Sequence, residues 1–366
     1  MKIQLLPIAV LTLVLLAFCS CTEKEAAEAE LRFESHVIDG KDTDNLKSYY
    51  LSAAAPFYSA HSVVAYNYKT HSLEYFNERE IFKTISLERE GENGIPGELV
   101  SMLPVSEDSI WVGNMVGFYL LDKDGAVKRK YSPEKEHITN SNYAMNIAAM
   151  CWFEGRYLVF PVRDESSFLL YFLDTETDSI CREILLDLPA SNKEGKNSYA
   201  GFDYPHVSFT KDMAIYNYGY DHSVFTVDLK TGEKRSFTVP SDYSPECLKP
   251  FEKTDDIKDW NLYWWENCHY QNVMPLLDSG LFVRLTLLGS EVDSDTNPET
   301  IIDSKQICLT YMNDKFEVLF ETVLPAGKYS NFSGWCALPE CLMLYVDNRL
   351  DGKTDDQLEV EYISYP

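Results

Sequence analysis

The chain lacks the short motifs that mark the common catalytic and nucleotide-binding sites. It contains no G-x-S-x-G, H-E-x-x-H, P-loop or Rossmann G-x-G-x-x-G sequence. It also has no C-x-x-C pair, which argues against a structural zinc site. These absences favour a binding or interaction protein over an enzyme of a familiar class.

Positive charge is scarce. The 366 residues carry 32 Lys and Arg against 58 Asp and Glu, a net charge of −26. This excess argues against nucleic acid or an anionic membrane surface as a partner, since both attract basic proteins. It suits a solvated extracellular surface. The hydrophobic content of 45% and the aromatic content of 13% indicate a folded protein.

Seven of the nine cysteines lie in the body of the chain, so an odd number is available for pairing. Three are in strand-like apolar runs and are predicted to be small core residues: Cys151, Cys181 and Cys308. The others form two candidate pairs for an oxidising compartment: Cys336 with Cys341, and Cys247 with Cys268.

The N-terminus, MKIQLLPIAVLTLVLLAFCSC, has one cation before an apolar run that is too short for a comfortable membrane span. It resembles a bacterial lipoprotein signal peptide, which implies cleavage after Ser20 and lipid attachment at Cys21. Plain secretion is the alternative. Residues 1–20 carry one Lys and no acid, so their removal takes the net charge from −26 to −27.

Residues 21–29 read as a short solvated tether. A lipidated Cys21 carries three acyl chains, which hold a protein firmly in a membrane. An acidic stretch after the lipidated cysteine resembles the export signal of Bacteroidetes lipoproteins. The resemblance implies the outer membrane as location, at the cell surface or on the periplasmic face.

The rest of the chain repeats one pattern of short β-type runs. Runs begin at Val63, Ile110, Tyr157, Met213, Leu281 and Leu342, at intervals of 47, 47, 56, 68 and 61 residues. Each is preceded by one further strand-like run and followed by one or two. No amphipathic helix is predicted outside the signal. The pattern therefore predicts six repeats of four strands.

The sixth repeat lacks its outer strand, and a strand-like segment at about residues 30–39 can supply it. Such ring closure is common in β-propellers and leaves no exposed edges. We predict an all-β fold, a six-bladed propeller over residues 30–366 with four antiparallel strands per blade. A seven-bladed propeller with a partial blade at residues 240–275 is the alternative.

The segment ISLEREGENGIPGELVSMLPVSEDSIWVGNMVGFYLLDKDGAVKRKY resembles the Bacteroidetes β-propeller lipoproteins grouped as domain of unknown function 4221. These proteins have a lipoprotein signal, a turn like EGENG and a strand-rich repeat. The resemblance supports the location and the fold, and it implies no catalytic residues.

Two groups of residues are candidates for ligand binding on the face that carries the long loops, which we call the long-loop face. The segment 240–271 is the longest of these loops, and its aromatic residues can form a binding surface or pack against the body: Trp260, Tyr263, Trp264 and Trp265. The second group lies near the ends of the second strands: Asn114, Arg163, Tyr218 and Arg284. The two arginines either line a central polar pocket or form inter-blade salt bridges, and the sequence favours salt bridges.

No cofactor is predicted. The one metal hypothesis is a calcium site at Asp293, Asp295 and Asn297, where Pro298 replaces the glycine of a calcium loop. A solvated acidic loop is the favoured interpretation of this segment.

Three functions remain. The first is a surface-anchored, non-enzymatic module that recognises a glycan, a peptide or a partner protein through the long-loop face. The second is a polysaccharide hydrolase or lyase with its site at the central channel. The third is a scaffold subunit of an outer-membrane complex.

Overall fold

A computed structural model describes residues 30–39, 48–132, 150–164, 167–200, 202–244, 246–252, 256–292, 305–329, 334–346 and 358–365. The predicted signal peptide, the tether, Cys21 and the calcium hypothesis at Asp293, Asp295 and Asn297 lie outside these ranges. They stay predictions.

Across the described residues, 24 strands form six four-stranded antiparallel sheets, which we call blades one to six. Blade one contains β2 (Ser52–Ala54), β3 (Val63–Asn67), β4 (Ser72–Phe76) and β5 (Ile81–Ser86). Blade two contains β6 (Leu99–Ser106), β7 (Ser109–Asn114), β8 (Phe118–Asp122) and β9 (Val127–Tyr131). Blade three contains β10 (Cys151–Phe153), β11 (Tyr157–Asp164), β12 (Ser167–Asp174) and β13 (Ser179–Leu185).

Blade four contains β14 (Pro205–Phe209), β15 (Met213–Tyr218), β16 (Ser223–Asp228) and β17 (Lys234–Thr238). Blade five contains β18 (His269–Leu276), β19 (Leu281–Leu287), β20 (Ile307–Met312) and β21 (Val318–Val323). Blade six contains β22 (Cys336–Ala337), β23 (Leu342–Tyr345), β24 (Leu358–Ser364) and β1 (Arg32–Ile38).

The N-terminal strand β1 closes the ring. It pairs antiparallel with β24, from Arg32 opposite Ser364 to Ile38 opposite Leu358. The prediction of a six-bladed propeller closed by the N-terminal strand is thereby confirmed. The seven-bladed alternative is wrong, because residues 240–275 hold no extra sheet in their described part.

Alternation along the strands explains how the blades stack. In β19, Val283, Leu285 and Leu287 join the largest apolar cluster. Phe282 points to the other side of the sheet and packs with Ile215 of blade four. Each blade therefore buries both of its faces, and the core is a series of layers between neighbouring blades.

The inner strand of blade one is not where the sequence pattern placed it. The strand-like run that precedes Val63 in the sequence is PFYSA, residues 56–60, which predicts the inner strand there, but the strand is Ser52–Ala54. The chain then turns, with Tyr58 N donating to Ala55 O at 3.1 Å and Ala55 N donating to Ser62 O at 2.8 Å. Pro56 has no N–H for a ladder, which favours the turn.

The prediction of no helix outside the signal is also wrong, because α1 spans Ile257–Glu266. Its N-cap is Asp256, whose side chain accepts a hydrogen bond from Lys258 N at 2.9 Å. The aromatic residues at 260, 263 and 264 have helical spacing, but tryptophan and tyrosine are weak helix formers. In the described part of the chain, no helix combines the length and apolar character that crossing a bilayer requires.

All seven body cysteines are free thiols in the structure, so neither candidate pair is joined. Cys151 and Cys308 are buried as predicted. Cys181 is exposed, because it lies on β13, the solvent-facing outer strand of blade three. Its prediction as a core residue is therefore wrong.

Candidate binding groove and the aromatic helix

The aromatic residues of α1 mainly attach the helix to the propeller. Trp265 is only 6% exposed. The ring of Trp264 stacks on His269 with centroids 5.8 Å apart. Tyr263 donates from Oη to Lys249 O at 2.9 Å and packs its ring 5.1 Å from that of Phe251. These contacts turn three of the four aromatic rings toward the body.

Trp260 is the exception. It is 37% exposed, and its ring makes an edge contact with Phe251 at 5.1 Å. Ligand binding by Trp260, Tyr263, Trp264 and Trp265 stays a prediction. The exposed part of Trp260 is the surface that such binding would use, since Trp265 has no comparable exposed area.

A buried lysine and a buried histidine contact α1 on the side that faces the propeller. Lys305 Nζ lies 4.7 Å from the Trp264 ring centroid and donates to Asn267 O at 2.8 Å. Burial lowers the pKa of Lys305 to about 7. His269 is stacked on Phe202 at 3.7 Å, and burial holds its pKa well below the usual value. Both groups are shielded from solvent and serve packing.

The second group of candidates is not brought together at one site. Asn114 closes a hairpin: its Oδ1 accepts from Val116 N at 2.8 Å and from Gly117 N at 2.9 Å. The amide is therefore engaged in the turn. Arg284 is fully buried between blades four and five and forms no ion pair in the described part of the chain, so the expected salt bridge is absent.

Arg163 and Tyr218 both lie at the boundary of blades three and four. Arg163 donates to Tyr204 Oη at 2.6 Å, and its guanidinium lies 5.2 Å from that ring centroid. Tyr218 is buried and donates to Asp187 O at 3.3 Å. Burial raises the pKa of Tyr218 well above its usual value, so its hydroxyl stays protonated.

A groove of about 700 Å³ opens at this boundary. Its walls come from β12 and β13, from β16 and β17, and from the chain that follows β13. It reaches the ends of β12, β16 and β17 that lie on the long-loop face. We call it the three–four groove, and its main lining residues are Ser167, Phe168, Asp187, Leu188, Lys193, Ser223, Phe225, Lys234, Arg235, Ser236 and Thr238.

The charge of the three–four groove is opposite to that of the protein. Three cations and one acid line it, a formal charge of +2, whereas the whole chain carries −26. Lys234 bridges to Asp187 at 2.6 Å, and Arg235 to Glu233 at 2.8 Å. These exposed pairs are weak and can be exchanged for ligand contacts. This site was not predicted from the sequence, although the run KTGEKR is unusually basic for so acidic a chain.

The mouth of the central channel has a different character. A cavity of about 250 Å³ lies where the inner strands end in their short hairpins, on the side opposite the long-loop face. Its lining is almost entirely apolar and includes Met102, Pro104, Met150, Met274, Pro275, Leu277, Trp335 and Pro339. Among the described residues that line it, none is a carboxylate or a histidine. Within the described ranges, no group of His, Cys, Asp or Glu is arranged to hold a metal ion.

Comparison with known proteins supports the fold. No protein-family model matches the chain, and no curated protein matches it. The structure of a DUF4221 family member from Bacteroides vulgatus is similar, with a TM-score of 0.67, 14% identity, and coverage of 92% of this chain and 97% of that one.

A Bacteroides fragilis protein described as a "putative exported protein" is also similar, with a TM-score of 0.57, 10% identity, and coverage of 92% of this chain and 95% of that one. At these identities the comparison concerns the fold alone. The chain is a six-bladed β-propeller whose fold is similar to that of a DUF4221 family member from Bacteroides, as the sequence resemblance indicated.

Proposed function

We propose that the protein is a lipid-anchored, non-enzymatic surface protein that binds an acidic glycan in the three–four groove. The observation that carries this proposal is the groove's formal charge of +2 in a chain of −26. The signal-like N-terminus supports a location outside the cytoplasm. The similar fold of the "putative exported protein" of Bacteroides fragilis supports it as well.

The groove has the chemistry that an acidic sugar requires. Lys193 and Arg235 can bind a carboxylate, and Asp187 can accept a hydrogen bond from a sugar hydroxyl. Serine and threonine hydroxyls along β16 and β17 supply both donors and acceptors. A volume of about 700 Å³ is within the range of small-ligand sites and accommodates one or two sugar rings.

Binding of oligosaccharides to the secreted chain tests the proposal. We expect uronate-containing oligosaccharides to bind and their neutral counterparts to bind at least about tenfold more weakly, with an affinity that falls as salt increases. Lys193→Glu and Arg235→Glu should abolish binding. Lys211→Glu, an exposed position on the opposite side of blade four, is the matched control and should bind as the natural chain does.

Equal affinity for acidic and neutral oligosaccharides, or equal losses in the groove and control variants, would contradict the proposal. Binding of acidic peptides in place of glycans would keep the groove as the site and reject the glycan.

A second function, a scaffold in an outer-membrane complex, is favoured by one observation. The central-channel mouth is apolar, and Leu277 at its rim is 61% exposed. Leu277→Asp should then reduce cross-linking of the protein to membrane partners in cells and leave glycan binding unchanged. Unchanged cross-linking would reject this role for the channel mouth. The hydrolase or lyase has no comparable support, because the described channel mouth offers no acid–base pair.

A further inference from the structure

Arg284 is an unusual buried cation. It lies in the middle of β19, its side chain is fully buried, and none of its three guanidinium nitrogens has a hydrogen-bond partner in the described part of the chain. Its Cζ lies 4.3 Å from the ring centroid of Tyr270. This cation–π contact attracts the charge but satisfies none of the five N–H donors.

The strand register places the guanidinium between blades four and five. Arg284 and Phe282 are two residues apart in β19 and share a face of the sheet. Phe282 packs against Ile215 and Val224 of blade four, so this face is the one that meets blade four. Arg284 therefore lies next to the apolar layer between blades four and five.

Two further polar groups share this interface and also lack partners. Thr286 follows Arg284 on the same face of β19, and its Oγ1 is buried without a hydrogen bond among the described residues. Asn217 follows Ile215 on the facing side of β15. Its Nδ2 donates to Gln271 O at 2.7 Å, whereas its Oδ1 has no described partner. One cation, one hydroxyl and one amide oxygen, all fully buried, thus face the same interface.

No carboxylate in the described part of the chain forms an ion pair or a hydrogen bond with Arg284. Glu321 lies two strands away on the same cross-strand row. Its charge acts on Arg284 from that distance, but its oxygens accept from Thr310 Oγ1 at 2.6 Å and from Asp242 N at 2.8 Å and do not contact the guanidinium. A guanidinium stays protonated in proteins, and an isolated buried charge is strongly destabilising. The unpaired N–H donors of Arg284 therefore favour a bound anion that supplies acceptors.

We propose that the interface between blades four and five holds a small planar oxyanion, of the carboxylate or bicarbonate class, bound to Arg284. The planar guanidinium donates two parallel hydrogen bonds to two oxygens of such an anion. Thr286 Oγ1 donates a third. Asn217 Oδ1 accepts the proton of a protonated oxyanion such as bicarbonate. Because all three side chains are fully buried, the anion is limited to a few atoms. This site is separate from the three–four groove and does not depend on the proposed glycan binding.

Formate and bicarbonate are the probes, and the whole secreted chain is the sample. We expect the thermal unfolding midpoint to rise saturably with sodium formate or sodium bicarbonate relative to sodium chloride at equal ionic strength, because a ligand of the folded state stabilises it. A larger shift with bicarbonate than with formate would indicate that Asn217 accepts a proton. The bound species should appear as one 13C resonance per chain when 13C-labelled formate or bicarbonate is added.

Arg284→Met keeps the apolar stem and removes the charge, so the anion-dependent shift and the 13C resonance should both disappear. Thr286→Val should weaken anion binding several-fold and retain the fold, which keeps the test decisive where Arg284→Met does not fold. Arg156→Met is the matched control, since Arg156 lies on the surface beside Asp174, and it should respond to formate as the natural chain does. Equal midpoints in formate, bicarbonate and chloride for the natural chain, or an undiminished shift in Arg284→Met, would overturn the proposal.

Discussion

Replacement of single tryptophans in α1 separates packing from ligand binding. Trp265 is 6% exposed and Trp260 is 37% exposed, and both lie in the same ten-residue helix. Trp265→Ala and Trp260→Ala change helix propensity in the same direction. Any difference between the two variants therefore reports how much of each indole is packed against the propeller.

The expected magnitudes follow from burial. Truncation of a buried tryptophan costs about 3–5 kcal/mol of the free energy of unfolding, because both apolar contact and cavity terms are lost. We expect this loss for Trp265→Ala. For Trp260→Ala we expect less than about 1 kcal/mol, since more than a third of its surface is already in water and its ring contacts Phe251 by an edge at 5.1 Å.

Urea denaturation followed by circular dichroism measures both values, and glycan binding of the two folded variants measures the second role. Equal losses of stability in the two variants would refute the packing described for α1. Loss of binding in Trp260→Ala with unchanged stability would make Trp260 part of a ligand site on the long-loop face.

Three further predictions concern the ring and its buried groups. Gly113→Ala should lower the free energy of unfolding by about 1–3 kcal/mol, because the new Cβ would overlap Ser101 Oγ. Thermal unfolding measures the loss, and an unchanged midpoint would contradict the close contact between β6 and β7. A chain that begins at residue 48 lacks β1 and leaves the outer edge of β24 without a partner, so we expect lower stability and self-association by light scattering, whereas a chain that begins at residue 30 stays monomeric. Burial lowers the pKa of His206 to about 4, below the 6.5 of the unfolded chain. The free energy of unfolding should therefore fall as pH drops from about 6.5 to 4, by up to about 1.4 kcal/mol per pH unit. His206→Gln should remove this part of the pH dependence in urea titrations, and a pH profile identical to that of the natural chain would refute the role of His206.

The sequence determined the fold to the level of six blades and most of their strands, with the inner strand of blade one and helix α1 as exceptions. The runs that begin at Val63, Ile110, Met213 and Leu342 are all second strands of blades, within one residue of the predicted starts. Period-two alternation and tight turns are local signals, so they can be read without the tertiary structure. Ring closure could also be predicted, since a missing last strand at one terminus and a spare strand at the other have one simple solution.

The tertiary structure decided which residues share a site. The sequence placed Arg163, Tyr218 and Arg284 together, but the structure puts the first two beside the three–four groove and the third in the next inter-blade layer. Lys193 and Arg235 come from different blades and have no common signal in the sequence. A blade's contents are set by local hydrogen bonding, whereas a site between blades depends on how whole sheets stack. The aromatic segment could be identified from its composition, which is a local property. The direction in which it faces depends on tertiary packing, and its contacts with His269 and Lys305 turn most of it inward.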